Sequence, residues 1–298
     1  MIGYPVTLAV LRKDIESHKK GWLARAQELT KQARKQGNFD GITSIWSEIK
    51  PVFMRLQGDS KCAYCERKLE SEEYGTIEQD VEHFRPKNRV TAWKPSKELV
   101  DVGVKLAGAP SKGDGGYYLL AHQVLNYAAG CKPCNSTCKA DRFPVAKAYV
   151  LNGDDPRKLK TMEKPYLLFP VGKWGDEPEK FLAFYGISPH PVVKSGFGRL
   201  RALVTIEFFA LDDIAARKNL FRDRALIIQT MHPQLEALAS PGTSAARRSS
   251  AKKVVDAAIS SKAPHANCAR SFKKLFERAP LEALAVFDAA ADYVASIS

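Results

Sequence analysis

The sequence has no apolar run that approaches the roughly 18 residues needed for a membrane-spanning helix. Its first residues lack the charged segment and apolar stretch of a secretory signal. Internal repeats and extended low-complexity tracts are also missing. We therefore expect a cytoplasmic globular protein without a membrane partner. In that compartment, paired cysteines more often bind metal or carry out redox chemistry than form disulfides.

Acidic residues are scarce relative to basic ones: 33 Asp and Glu face 46 Lys and Arg, for a formal net charge of +13. The basic excess is spread along the chain and is not confined to a tail. Such a positive field favours polyanions, so nucleic acid is the expected partner. The length of 298 residues allows one large domain or two smaller ones.

Four of the six cysteines form two C-x-x-C pairs, with sulfur atoms at Cys62, Cys65, Cys131 and Cys134. Two such pairs supply the four thiolates of a tetrahedral zinc site. Because this ligand set is complete, the zinc would be structural and would tie together the ends of the segment between the pairs. A redox dithiol is the alternative, and it predicts no bound zinc and freely titrating thiols. Cys138 and Cys268 lack a paired partner and are interpreted as ordinary thiols.

A Glu82-His83 dipeptide lies between the two cysteine pairs, and Asn126 and Asn135 flank the second pair. Hydrolysis of a phosphodiester needs a base that activates water, a cation at the leaving oxygen and positive groups around the phosphate. His83 can be the base, while Glu82 and Asn135 offer oxygen ligands suited to Mg²⁺ or Mn²⁺. Neighbouring cations are candidates for phosphate contacts: Arg85, Lys87 and Lys139.

Glu82 and His83 are consecutive, and consecutive side chains of a strand point to opposite faces. The two can serve one site only if the strand ends or bends there, which Pro86 favours. Two further interpretations stay open: a zinc-ribbon protein that binds nucleic acid without cleaving it, and a structural adaptor that the zinc module only stabilises. A pure binder has no need for Glu82, His83 and Asn135 together, and an adaptor would be unaffected by His83→Ala.

The motif D-V-E-H at residues 80–83, followed by Asn126 and Asn135 and framed by the cysteine pairs, resembles the HNH nuclease superfamily and its zinc-stapled subset. That resemblance implies a ββα-metal finger in which His83 is the general base. It implies that Glu82 and Asn135 bind the catalytic metal. It also implies that Asn126 holds the loop or the histidine in place by hydrogen bonds.

A longer ordered series resembles HNH proteins of bacterial anti-phage systems of the Septu and retron-associated type. The series runs C-A-Y-C-E at 62–66, E-H-F-R-P-K at 82–87, Y-Y-L-L-A at 117–121, C-K-P-C-N at 131–135 and F-P at 143–144. The proteins it resembles work beside an ABC-type ATPase. The resemblance therefore implies a defence effector that cleaves DNA together with an ATPase partner.

The fold class expected from these patterns is mainly α with a small α+β core, namely the zinc-stapled finger flanked by N- and C-terminal helical regions. The corresponding units are an N-terminal helical region at 1–60, the nuclease domain at 61–145 and a mostly helical region at 146–298. Alternating apolar residues predict strands over 76–84, 166–170 and 181–185. Apolar periodicity predicts helices over 11–36, 42–56, 200–211, 214–231, 244–260, 265–277 and 280–297. Three single residues mark expected helix boundaries: a kink or early break at Pro51, a helix start near Pro133 and an N-cap at Asp212.

Overall fold

Helices make up most of the chain in the computed structural model, which describes residues 1–69 and 79–297. Two small two-stranded antiparallel sheets complete the regular structure of these residues. Within the described ranges, no helix is both long and apolar enough to cross a membrane. The mainly helical composition predicted from the sequence is therefore confirmed.

The helix predicted over 11–36 consists of two helices, α1 (Leu8–His18) and α2 (Trp22–Gln36). The chain turns at Gly21, whose φ of +78° lies in the left-handed region that glycine adopts without strain. The Glu16 carboxylate accepts hydrogen bonds from the backbone N–H groups of Gly21 (2.7 Å) and Leu23 (2.8 Å). The carboxylate thus provides hydrogen-bond acceptors for backbone N–H groups at the start of α2 that have no acceptor within the helix.

The second predicted helix is shorter than residues 42–56. A 3-10 turn, Trp46–Ile49, leads into α3, Lys50–Leu56. Pro51 lies in the first turn of α3, where its missing N–H costs no helical hydrogen bond. The proline therefore starts the helix and does not kink it.

The central sheet joins two segments that are far apart in sequence. Strand β1 (Gln79–His83) pairs antiparallel with β2 (Tyr127–Cys131), and Glu82 faces Ala128 while His83 faces Tyr127. A π-helical segment, Pro133–Lys139, follows β2 at once, with its proline in the first turn as predicted. The first three residues of the strand predicted over 76–84 lie outside the described residues. Between the strands lie the short helix α4 (Lys97–Asp101) and two 3-10 turns, Tyr118–Leu120 and Val124–Asn126.

A glutamine at the end of α3 occupies the outer side of β2. The Gln57 side chain donates hydrogen bonds from Nε2 to Ala129 O (2.9 Å) and Lys61 O (2.8 Å). Its Oε1 accepts a hydrogen bond from Ala129 N at 2.7 Å, and Ala63 N donates to Ala129 O at 3.0 Å. Gln57 is completely buried, so α3 and the first cysteine turn are attached to the central sheet.

The remainder of the chain is mostly helical, with one β-hairpin. Its elements are α5 (Pro156–Glu163), β3 (Leu182–Tyr185), β4 (Ser188–Pro191), α6 (Gly196–Phe208), α7 (Lys218–Ala239), α8 (Ala245–Ile259), α9 (Ala266–Arg278) and α10 (Pro280–Ile297). Strand β3 and the last three helices agree closely with the sequence predictions. Helix α7 begins later than predicted, at Lys218, so Asp212 does not cap it.

The strand predicted over 166–170 is wrong, because side chains and isolated backbone contacts take the place of a neighbouring strand there. Arg201 Nη2 donates to Leu167 O at 2.8 Å, and Phe169 N donates to Asp176 Oδ2 at 2.9 Å. These contacts satisfy a buried backbone segment that would otherwise need a strand partner. Arg201 and Asp176 are themselves a buried ion pair, 2.7 Å apart.

One hydrophobic cluster contains residues from all three regions distinguished in the sequence. Phe53 of α3 meets the ring of Tyr127 at 5.7 Å between centroids. Tyr64, between the first two cysteines, stacks on Phe209 at 4.1 Å with an interplanar angle of 17°. The central sheet and the cysteine turn are therefore packed against both the preceding and the following helices.

Candidate functional site

The four paired cysteines meet in one buried cluster. Their sulfur atoms all lie within 4.8 Å of one another, and the Sγ atoms of Cys65 and Cys131 are 3.7 Å apart. All four are free thiols, so the cluster could hold a metal ion. Two of them lie in the turn at 62–65, Cys131 ends β2, and Cys134 lies in the π-helical segment. Cys138 and Cys268 are not members of this cluster.

Ionisation within the cluster is uneven. Burial opposes the loss of a proton from Cys65, but hydrogen bonds with the other three thiols and the charge of Arg217 outweigh it, so its pKa lies well below its usual range. The pKa of Cys134 is raised well above its usual range by hydrogen bonds with Cys131, Cys62 and Cys65 and by burial. Without a cation to offset them, four neighbouring thiolates in a buried site repel one another.

A cleft of about 360 Å³ lies beside the central sheet. It brings together four residues that the sequence singled out: Glu82, His83, Lys87 and Asn135. Glu82 and His83 both line it although they are consecutive. His83 is the last residue of β1, so the strand ends where the two side chains share a site. For Glu82 and His83 to share a site, the strand had to end or bend at these residues, and it ends at His83.

The His83 ring is held by three neighbours. Its Nε2 lies 3.0 Å from Ala121 O, and its ring makes edge contacts with Trp46 (4.7 Å between centroids) and Tyr127 (5.0 Å). A carbonyl oxygen only accepts, so Nε2 carries the proton and Nδ1 is the basic nitrogen. Burial, followed by the charge of Lys87, holds the pKa of His83 well below its usual range. The imidazole is therefore neutral near pH 7.

Glu82 and Lys139 form a buried ion pair at the back of the cleft. Lys139 Nζ lies 2.7 Å from Glu82 Oε1 and donates a hydrogen bond to His83 O at 2.9 Å. Lys139 is fully buried and is not among the residues that line the cleft. Its charge is directed to Glu82 and not to the open space where a phosphate contact was expected.

Asn126 and Arg85 lie outside the cleft. Asn126 Oδ1 accepts a hydrogen bond from Arg85 N at 2.8 Å, and its Nδ2 donates to Arg85 O at 3.0 Å, so the asparagine fixes the segment after His83. The Arg85 guanidinium is buried and donates from Nε to Glu163 Oε2 at 2.8 Å. The same carboxylate accepts from the Tyr117 hydroxyl at 2.6 Å. Arg85 is thus placed in an internal ion pair away from the cleft.

The cleft also has residues that the sequence interpretation missed. Its additional polar and aromatic lining residues are Trp46, Ser47, Lys50, Ser136 and Asp141. Trp46 and Ser47 come from the turn before α3 and Lys50 is the first residue of α3, and nothing in the sequence relates these three to the Glu-His motif. Ser136 follows Asn135 directly, so its position in the motif could have identified it. Lys87 Nζ lies 4.6 Å from the centroid of the Trp46 ring.

A larger cleft of about 580 Å³ lies between α2 and the segments around residues 119–125 and 154–157. Its lining includes four cations, Arg12, Lys31, Arg34 and Arg157, but none of the predicted catalytic or metal-binding residues. Two of these cations are paired with acidic neighbours, Arg34 with Asp154 and Arg157 with Asp155. The predicted catalytic residue His83 and the predicted metal-binding residues Glu82 and Asn135 therefore line the smaller cleft and not the larger one.

Comparisons with protein-family models, with curated proteins and with solved structures find no match for this chain. The functional interpretation therefore depends on the cysteine cluster and on the geometry of the cleft.

Proposed function

We propose that this protein is a metal-dependent endonuclease of the HNH type that hydrolyses phosphodiester bonds in DNA. The observation that carries the proposal is the convergence of Glu82, His83 and Asn135 on one cleft. The order of elements supports it, because two antiparallel strands are followed directly by the helical segment that bears Asn135. This is the order of a ββα-metal finger.

His83 is the general base of the proposed reaction. Its Nε2–H is engaged by the Ala121 carbonyl, which leaves Nδ1 to accept a proton from the attacking water. The ring contacts with Trp46 and Tyr127 restrict its orientation. A neutral, oriented imidazole is the form that can take up a proton at neutral pH.

Glu82 and Asn135 offer the oxygen atoms for a divalent cation. Carboxylate and amide oxygens are the donors that Mg²⁺ and Mn²⁺ prefer, and both residues line the cleft beside His83. When bound, such a cation supplies positive charge for the phosphate and the leaving oxygen. Lys139 holds the Glu82 carboxylate by their ion pair, and Lys87 adds positive charge to the lining of the cleft.

The cysteine cluster is proposed to be a structural zinc site. Four thiolates within 4.8 Å of one another form a closed tetrahedral set, so a bound zinc has no position open to substrate. The metal would hold the end of β2 and the π-helical segment, which contributes Asn135 and Ser136 to the cleft, against the turn at 62–65. Stabilisation of the cleft and catalysis in it are thus assigned to two different metals.

The wider biological role follows the resemblance noted in the sequence. The net charge of +13 suits a nucleic-acid substrate. We propose that the substrate is DNA, that the protein acts in bacterial anti-phage defence and that an ABC-type ATPase is its partner.

Cleavage of supercoiled plasmid tests the nuclease directly. Wild type, His83→Ala and the control His18→Ala are incubated with Mg²⁺, with Mn²⁺ and with EDTA; His18 is exposed at the end of α1, outside the cleft. We expect metal-dependent nicking or linearisation that is kept in His18→Ala and lost in His83→Ala. Equal cutting by His83→Ala would contradict its role as base. Tight DNA binding without any cleavage by the wild type would favour a binding module.

A further inference from the structure

One arginine from outside the predicted nuclease region reaches the cysteine cluster. Arg217 immediately precedes α7, yet its Nη2 lies 3.4 Å from the Cys134 sulfur. Its Nη1 donates to Phe209 O at 3.0 Å and lies 3.8 Å from the sulfur of Cys138. The two ends of the guanidinium are therefore held by different partners, one a member of the cluster and the other the backbone.

The backbone that anchors Arg217 is itself attached to the cluster. Phe209 stacks on Tyr64, which lies in the turn between Cys62 and Cys65. The guanidinium thus spans from the second cysteine pair to a residue packed on the first pair. A planar fork with several N–H donors suits such a bridge better than a single ammonium.

A buried tetrathiolate site needs positive charge beyond its metal. Four thiolates around Zn²⁺ leave a net charge of about −2, and burial of net charge is unfavourable unless cations or hydrogen-bond donors offset it. The cluster is buried, and a backbone donor reaches it, from Cys131 N to the Cys62 sulfur at 3.4 Å. Arg217 also donates to the cluster, to the Cys134 sulfur, and brings a full positive charge.

We propose that Arg217 is a positioning residue of the cysteine metal centre, which retains zinc by donating a charge-assisted hydrogen bond to the Cys134 thiolate. Residues around a metal's ligands set ligand orientation and metal affinity, and their loss typically lowers affinity about 10- to 100-fold. The metal centre then includes a residue of the C-terminal helical region. This proposal rests on the structural zinc of the proposed function and not on nuclease activity.

The test measures zinc, not cleavage. Bound zinc is quantified by elemental analysis, and its transfer to a chromogenic chelator is followed in wild type, Arg217→Gln, Arg217→Lys and the control Arg222→Gln. Arg222 is exposed on α7, where its guanidinium lies 3.5 Å from the carboxylate of Asp223. We expect zinc release about 10- to 100-fold faster from Arg217→Gln than from wild type. Arg222→Gln should match wild type, and Arg217→Lys, which keeps the charge without the fork, should lie between.

A cobalt-substituted protein adds a readout that a purely structural role would not move. Loss of an N–H donor to a ligand sulfur changes the sulfur-to-cobalt charge-transfer absorption, so this band should shift in Arg217→Gln and stay unchanged in Arg222→Gln. Zinc release at the wild-type rate from folded Arg217→Gln would overturn the proposal. If that variant does not fold, Arg217→Lys decides, and release at the wild-type rate overturns the proposal in the same way. A wild type that holds no zinc would overturn the metal centre itself.

Discussion

Lys139 Nζ lies 2.7 Å from Glu82 Oε1, and solvent hardly reaches either side chain. Removal of one partner leaves a buried charge uncompensated, which costs about 3–5 kcal/mol. We therefore expect Lys139→Met to lower the free energy of unfolding by that amount, measured by urea denaturation. Lys158→Met, at an exposed position of α5, should change it by less than about 0.5 kcal/mol. Equal stabilities of the two variants would show that the buried pair does not form.

Trp46 lines the cleft, and its ring makes an edge contact with the His83 ring, with 4.7 Å between the ring centroids. A small displacement of a catalytic group can cost about 100-fold in rate. We expect Trp46→Ala to slow plasmid cleavage by up to that factor, while zinc content stays that of wild type. Trp46→Phe, which keeps an aromatic edge contact, should retain most of the activity. Trp93→Phe, at a half-buried tryptophan outside the cleft, serves as the control, and an unimpaired Trp46→Ala would remove Trp46 from the site.

Loss of a cluster thiol should remove the structural metal. Cys62→Ser and Cys131→Ser are each expected to bind far less zinc than the roughly one ion per chain of a closed four-thiolate site. Because metal binding to such a site is coupled to folding, both variants should also unfold at lower temperature. Cys138→Ser, which changes a thiol outside the cluster, should keep its zinc. Elemental analysis and thermal unfolding measure both effects, and full stability of zinc-free protein would be inconsistent with a structural role.

The ionisation of Asp176 makes the stability of the fold depend on pH. Its carboxylate lies 2.7 Å from Arg201 and 2.8 Å from Lys160. Burial alone would raise its pKa, but hydrogen bonds and charge from Arg201, and then from Lys160, hold the pKa below its usual value. A carboxyl group whose pKa is lowered by folding contributes stability above its unfolded pKa of about 3.9, and this contribution is lost as pH falls through the folded pKa.

Asp176→Asn should therefore be destabilised most at neutral pH, by about 3–5 kcal/mol, because it leaves buried Arg201 without its carboxylate. The difference from wild type should shrink as pH falls below about 4, because the unfolded wild-type chain then binds a proton at this carboxyl while the folded protein still keeps it charged. Urea denaturation at several pH values measures this difference. Asp14→Asn, at an exposed position of α1, should show no such trend. A difference that does not vary with pH would contradict the linkage.

The cysteine cluster and the core of the cleft were predictable because their residues lie in short motifs. A C-x-x-C pair brings its two sulfurs together locally, and the Glu-His dipeptide needs only a strand end to serve one site. Trp46 and Arg217 were not predictable, because tertiary packing alone brings them to the cleft and to the cluster. Nothing in their neighbouring sequence relates them to either motif.

Charged residues near the motif were harder to interpret than its ligands. Arg85 and Lys139 lie close to His83 or Asn135 in sequence, yet each pairs with a buried carboxylate, Glu163 or Glu82. Sequence proximity does not distinguish a cation that contacts a substrate from one that neutralises an internal charge. The failed strand over 166–170 has a related cause, since side chains outside the segment, those of Asp176 and Arg201, bind part of its backbone.

Gln57 also determines how another chain could approach the central sheet. Unpaired backbone groups along an edge strand accept an added strand from a peptide or from a second copy. At Ala129 both outward backbone groups are already engaged, by Gln57 and Ala63. Strand addition at this position would have to displace a buried glutamine. Strand addition by a peptide, or by a second copy, is therefore disfavoured at this position of β2.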